Sequence, residues 1–176
     1  MKAGGGIGPG GGAIRRAGGV TEAARARRGR AKFLPSFAAL QAAVRDACAE
    51  AAEWEAKVAA GIGAVLEFAA ADPEAALSLT VRARREGSSD GDREDEVIAY
   101  FVELLARVTP AERLPASTDA GVVEAIATIV RGNLRAGRAA QLPALGSELT
   151  YMALMPYTGL AGARGWADRY SRRTLS

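Results

Sequence analysis

The chain has 176 residues, of which 49% are hydrophobic and only 6% aromatic, with no histidine, one cysteine and a formal net charge of +3. That length allows one domain, or one domain with a small appendage. The missing histidine excludes histidine-based triads and metal sites, and the lone Cys48 excludes an internal disulfide.

The charge is unevenly placed. Residues 1–32 carry eight Lys/Arg against one acid, Glu22, while the remainder carries fifteen bases against nineteen acids. A basic segment on an acidic body suits an arm drawn to nucleic acid or another anionic surface, and equally a solvated tail. No apolar run is long enough to cross a membrane, and the first residues lack a signal-peptide h-region. The expectation is a soluble cytoplasmic protein with no membrane partner. Ala and Leu rather than β-branched alternation supply the apolar material, in long runs of 3.6-residue period, so the predicted class is all-α.

Residues 1–19 hold nine glycines and little to pack, and form a predicted disordered tail. The glycine run is not followed by Gly-Lys-Ser/Thr, so it is no P-loop. Val20 to Lys32 is rich in Ala and Arg, with Thr21 as a candidate cap and Gly29 as a weakness. Pro35 is expected to kink or stop a preceding helix, with Ser36 capping the next. Phe37, Leu40, Val44 and Cys48 then recur every three or four residues, predicting an amphipathic helix over 37–52. Trp54, Val58, Ile62, Val65, Leu66 and Ala69 predict a second, ending at Ala71. Asp72-Pro73 is a restart signal, Asp as N-cap and Pro at the first helical position. The helix it opens carries Leu77, Thr80 and Val81 and frays at Arg82, Arg84 and Arg85.

Glu86 to Asp92 is a loop by composition, without the spacing of a calcium-binding EF-hand. Glu94, Asp95 and Glu96 open the next helix, where the macrodipole favours acids. Val97, Phe101, Leu104, Leu105 and Val108 make its buried stripe, and Thr109-Pro110 ends it. Two further helices span Asp119 to Tyr157. The first carries Val122, Val123, Ile126, Ile129, Val130 and Leu134, with Ala120, Ala125 and Ala127 in the gaps. The second carries Leu142, Leu145, Leu149, Met152 and Met155. A helix apolar on nearly every side must be covered on nearly every side. A small chain covers one face readily and a second hardly at all, so the predicted cover is another copy: a homodimer through Val122, Val123, Ile126, Ile129, Val130, Leu134, Leu145, Leu149, Met152 and Met155. The alternative is a central core helix within a monomer. After Thr158-Gly159 a short last helix with Trp166 and Tyr170 is expected, and residues 171–176 fray.

The residues point away from an enzyme. Ser and Thr have no histidine to activate them, and Lys57 is the only lysine after residue 32. No catalytic residue, metal or cofactor is predicted. Large apolar residues among many alanines can leave a pocket between helices for a small apolar effector. Its candidate lining is Trp54, Val58, Phe68, Leu77, Thr80, Tyr100, Phe101 and Leu104. A fully packed core is the alternative.

Trp54-Glu55-Ala56-Lys57-Val58, Leu66-Glu67-Phe68-Ala69, Asp72-Pro73-Glu74-Ala75-Ala76, Arg131 to Gly137, Leu142-Pro143 and Leu149 to Tyr157 together resemble, in order, the effector domain of TetR/AcrR-type transcriptional regulators. The resemblance covers about residues 33–165. It implies a TetR-like helical bundle: residues 38–170 as a ligand-binding and dimerisation domain, and 20–37 as the remnant of a helix-turn-helix. It also implies DNA as a partner, through Arg27, Arg28, Arg30 and Lys32. Around the recognition helix, Ala26, Phe33 and Phe37 match the family pattern. Arg27 replaces the turn glycine, Gly29 the capping Ser, and Leu34 and Ser36 the phosphate-contacting Tyr and His. Leu40 falls where the connecting helix has a Lys, and Gly-rich sequence occupies the place of the first helix. A recognition helix must be held rigidly to read bases. These departures therefore leave two readings open: a ligand-sensing regulator, or a dimeric ligand- or partner-binding module without a DNA-reading head.

Overall fold

The computed structural model describes residues 31, 33–80, 91–109 and 114–174. Among them every regular element is a helix, the all-α class that the composition predicts. The elements are α1 (residues 33–49), α2 (Trp54–Ala71), α3 (Pro73–Thr80), α4 (Gly91–Val108), α5 (Ala116–Arg135), a 3₁₀ helix (Ala139–Leu145) and α6 (Gly146–Thr174). The Gly-rich start, Arg27, Arg28, Arg30, Lys32, the fray at Arg82 to Arg85 and residues 175–176 lie outside the described residues.

Residues 33–49 run as one helix through Pro35 and Ser36, against the predicted break. Phe33 and Phe37, one turn apart, are both buried, with ring centroids 5.6 Å apart, and Phe37 meets Tyr100 of α4 edge-on at 5.6 Å. That aromatic packing holds the turn helical where proline alone disfavours it. The restart at Asp72 is as predicted: Asp72 Oδ1 accepts the Ala75 N–H at 2.9 Å, capping α3. Helix α4 begins at Gly91, inside the predicted loop, and α5 at Ala116, before the predicted Asp119.

Two buried clusters make the core. One joins Phe33, Phe37, Leu40 and Val44 of α1 to Leu79 and Val97; the other gathers α2, α5, the 3₁₀ helix and α6 around Leu66, Leu134, Leu142, Leu149 and Leu154. Phe68 packs against both. Helix α2 packs on every described element after it, and within it only Glu67 and Ala71 are exposed. The helix sheathed on nearly every side is therefore α2, whereas the sequence assigns that place to α5. Helix α5 shows solvent a stripe of Ser117, Gly121, Glu124, Thr128, Gly132 and Arg135. Glycine and short hydroxyl side chains expose little apolar area, so one subunit leaves that face wet at small cost.

The close of α5 follows from Gly137. With φ +69°, it lets the Arg138 N–H reach the Asn133 carbonyl at 2.9 Å and its own N–H reach the Leu134 carbonyl at 3.1 Å, the paired bonds of a glycine-terminated helix. Helix α6 is two limbs broken at Gly159, whose φ 68°, ψ 179° is open essentially to glycine alone. Across the break, Ser147 Oγ donates to the Ala167 carbonyl at 2.9 Å, so the second limb folds back along the first as a helical hairpin. Tyr170 docks beside Gly63 of α2 and Gly146. The second limb continues to Thr174, past the predicted fray at 171, because it is packed against the first. No described helix is long and apolar enough to cross a membrane.

Candidate functional site

Between the two clusters lies a cavity of about 140 Å³. Helix α1 contributes Leu40, Val44 and Cys48; α2 contributes Lys57, Val58, Gly61, Ile62, Val65, Phe68 and Ala69; α3 contributes Ala76, Leu79 and Thr80. Helix α4 adds Val97, Ile98, Phe101, Leu104, Leu105 and Val108, α5 adds Val122, Val123, Ile126, Ala127 and Val130, and α6 adds Ala153 alone. The space exists because alanine and glycine face branched side chains across it, where larger residues would interdigitate. A cavity of this size and apolarity holds a ligand about as large as benzene.

Of the eight predicted lining residues, Val58, Phe68, Thr80, Phe101 and Leu104 surround the cavity. Trp54, Leu77 and Tyr100 do not. The Trp54 ring stands edge-on to Tyr157 at 6.1 Å, and Tyr100 is sandwiched between Phe37 at 5.6 Å and Phe101 at 5.1 Å. Leu77 is half-buried against the larger cluster. The walls from α1 and α5 are absent from the sequence reading. Leu40-Val44-Cys48 carries a regular apolar stripe in the sequence, but spacing does not distinguish a stripe lining a hole from one filling a core.

The ten residues predicted for a dimer interface divide in the same way. Val122, Val130, Leu134 and Leu149 are buried within the single chain, so they have no surface to offer a second copy. Val123 and Ile126 turn toward the cavity, and Ile129, Leu145 and Met152 are half-buried against the core. Met155 is exposed at 42%, and Leu160 just past the break is exposed at 68%.

The few polar groups of the lining are mostly engaged with backbone. The Cys48 thiol donates to the Lys57 carbonyl at 3.4 Å, and Thr80 Oγ1 donates to the Leu77 carbonyl at 3.3 Å. Burial pushes the Cys48 thiol up from its ordinary range, with the Lys57 charge opposing. It is thus a weak nucleophile. Among the described residues no group of three or more His, Cys, Asp or Glu side chains is placed to hold a metal ion.

Two further polar features lie on α5 and α6. Tyr157 Oη donates to Asp119 Oδ1, tying the start of α5 to the first limb of α6. Desolvation and the Asp119 carboxylate both hold the Tyr157 phenol well above its ordinary value of 10.0. The folded state keeps a proton that the unfolded chain loses, so this contribution is complete below pH 10 and is lost as pH rises above it. Tyr157→Phe should cost about 1 kcal/mol in neutral urea melts and should flatten the alkaline fall in stability. Thr150, one turn before Ala153, is fully buried with its hydroxyl unpartnered. Thr150→Val keeps the shape and removes the unsatisfied group, so it should raise stability by about 1 kcal/mol, read as a higher urea midpoint at unchanged slope.

Comparison of the chain with protein-family models, with curated proteins and with solved structures finds no match.

Proposed function

We propose that the chain is a ligand-responsive helical module of the TetR regulator type, in which a small apolar effector occupies the cavity between α1 and α5. The observation that carries this reading is the make-up of the cavity wall. Leu40, Val44 and Cys48 place α1 in direct contact with any occupant, and α1 directly follows the basic segment in the sequence. An occupant that favours one position of α1 shifts the population of states presented to DNA. The order of the helices and the TetR-like sequence stretches support the same assignment.

In this reading a homodimer forms through α5 and the first limb of α6. Exposed Met155 on the first limb of α6 supports it, as an apolar side chain that a second copy would cover. The test combines sedimentation equilibrium with a titration on operator DNA taken from upstream of the chain's own coding sequence. A dimer that prefers this DNA to random DNA is the expected result. A monomer at every concentration, or equal affinity for both DNAs, overturns the regulator assignment.

A second reading is favoured by Arg27, Gly29, Leu34 and Ser36, which replace the turn, cap and phosphate-contacting residues of the family's DNA head. It is a dimeric ligand- or partner-binding module, retaining only salt-sensitive, non-specific DNA affinity through Arg27, Arg28, Arg30 and Lys32. Hydrogen exchange decides between them. Protection of residues 1–37 on adding operator DNA supports the regulator, and its absence supports the headless module.

A further inference from the structure

We propose that the cavity selects an apolar-tailed monoanion, a short carboxylate whose tail fills the cavity and whose head pairs with the Lys57 ammonium. This rests on reading the cavity as a ligand site and names the class of ligand it takes.

Most polar hydrogens of the lining are already spent. Cys48 and Thr80 already donate to backbone carbonyls of Lys57 and Leu77. Lys57 is the one charged residue of the lining, and among the described residues no carboxylate pairs with its ammonium. Glu53 and Glu55 sit at the same end of α2 without bonding to it. Lys57 is half-buried, as expected of a lysine whose methylenes line an apolar wall while its head reaches toward water.

The remaining walls are almost wholly aliphatic and aromatic, and the side-chain donors of Cys48 and Thr80 are already spent on backbone. A ligand with polar atoms along its body would lose their hydration without replacement. A ligand with one anionic end loses nothing along its tail and gains a charge-assisted bond at its head. The cavity's 140 Å³ limits the buried tail to about the bulk of a benzene ring, which a chain of roughly six carbons matches.

The test titrates the full chain with hexanoate, 1-hexanol and hexylamine, by calorimetry or by displacement of a fluorescent apolar probe. Hexanoate should bind roughly tenfold more tightly than 1-hexanol, the scale of one charge-assisted contact, and hexylamine more weakly than either. In Lys57→Met the advantage of hexanoate should vanish while 1-hexanol binds as before, which also shows that the variant is folded. Equal binding of hexanoate and 1-hexanol, or a hexanoate preference that survives Lys57→Met, overturns the anion assignment and leaves the cavity reading standing. A preference for hexylamine overturns it in the same way. Binding of none of the three overturns both.

Discussion

Gly146→Ala should destabilise the protein by about 3 kcal/mol, the upper range for forcing extra atoms into a packed site, although alanine is the better helix former. A Cβ at position 146 would lie 2.2 Å from Cε1, Cζ and Oη of Tyr170 alike, so the phenol end of the ring must be pushed out of its place. The ring is there because the second limb of α6 folds back along the first and lays Tyr170 beside Gly146 and Gly63. A double-mutant cycle separates this clash from a general effect on the helix. In a Tyr170→Ala background the cost of Gly146→Ala should disappear, leaving the small gain of alanine over glycine. Equal costs in both backgrounds, measured by urea unfolding, would mean that the α6 hairpin does not close as described.

Leu66→Ala is the second large effect, about 3–4 kcal/mol within the range for emptying a leucine site in a tight core. Leu66 is fully buried on α2, the helix every later described element packs against. Its surroundings are held from several directions and collapse little, which keeps the cost well above the bottom of that range. For a domain of ordinary stability this is a large share of the total, so the urea midpoint should fall steeply. The same truncation at exposed Leu160 removes little burial within the subunit. It should leave the midpoint of the monomer within about 0.5 kcal/mol of the parent.

Helix positions were legible where local chemistry decides them. The cap at Asp72, the end of α2 at Ala71, the end of α4 before Pro110 and the break at Gly159 all rest on one or two residues acting on their own backbone. Pro35 misled because the packing of Phe33 and Phe37 on α4 outweighs a local preference, and nothing in residues 33–37 alone announces that contact. The place of α5 was misread for a related reason. Alanine and glycine count as apolar in a pattern yet carry little area, so a helix can look greasy all round and still turn Gly121, Thr128 and Gly132 to water.

The cavity was half legible. Phe68, Phe101 and Leu104 were readable as large residues facing alanines, but a hole is defined by what several helices fail to fill together. The α1 and α5 walls depend on how those helices meet α2, which periodicity does not encode. Tyr100 and Trp54 have the size of pocket residues, but both are consumed by ring contacts with Phe37, Phe101 and Tyr157.

An apolar guest in the space between α1 and α5 is what a ligand-responsive module requires. The direct measurement is thermal unfolding with benzene, in the parent and in Val65→Phe, which pushes a ring into the cavity from α2. At a hundredfold excess over Kd the parent should melt roughly 5 °C higher, and the filled variant should not respond. A parent whose Tm ignores benzene, or a filled variant that gains as much as the parent, would contradict it.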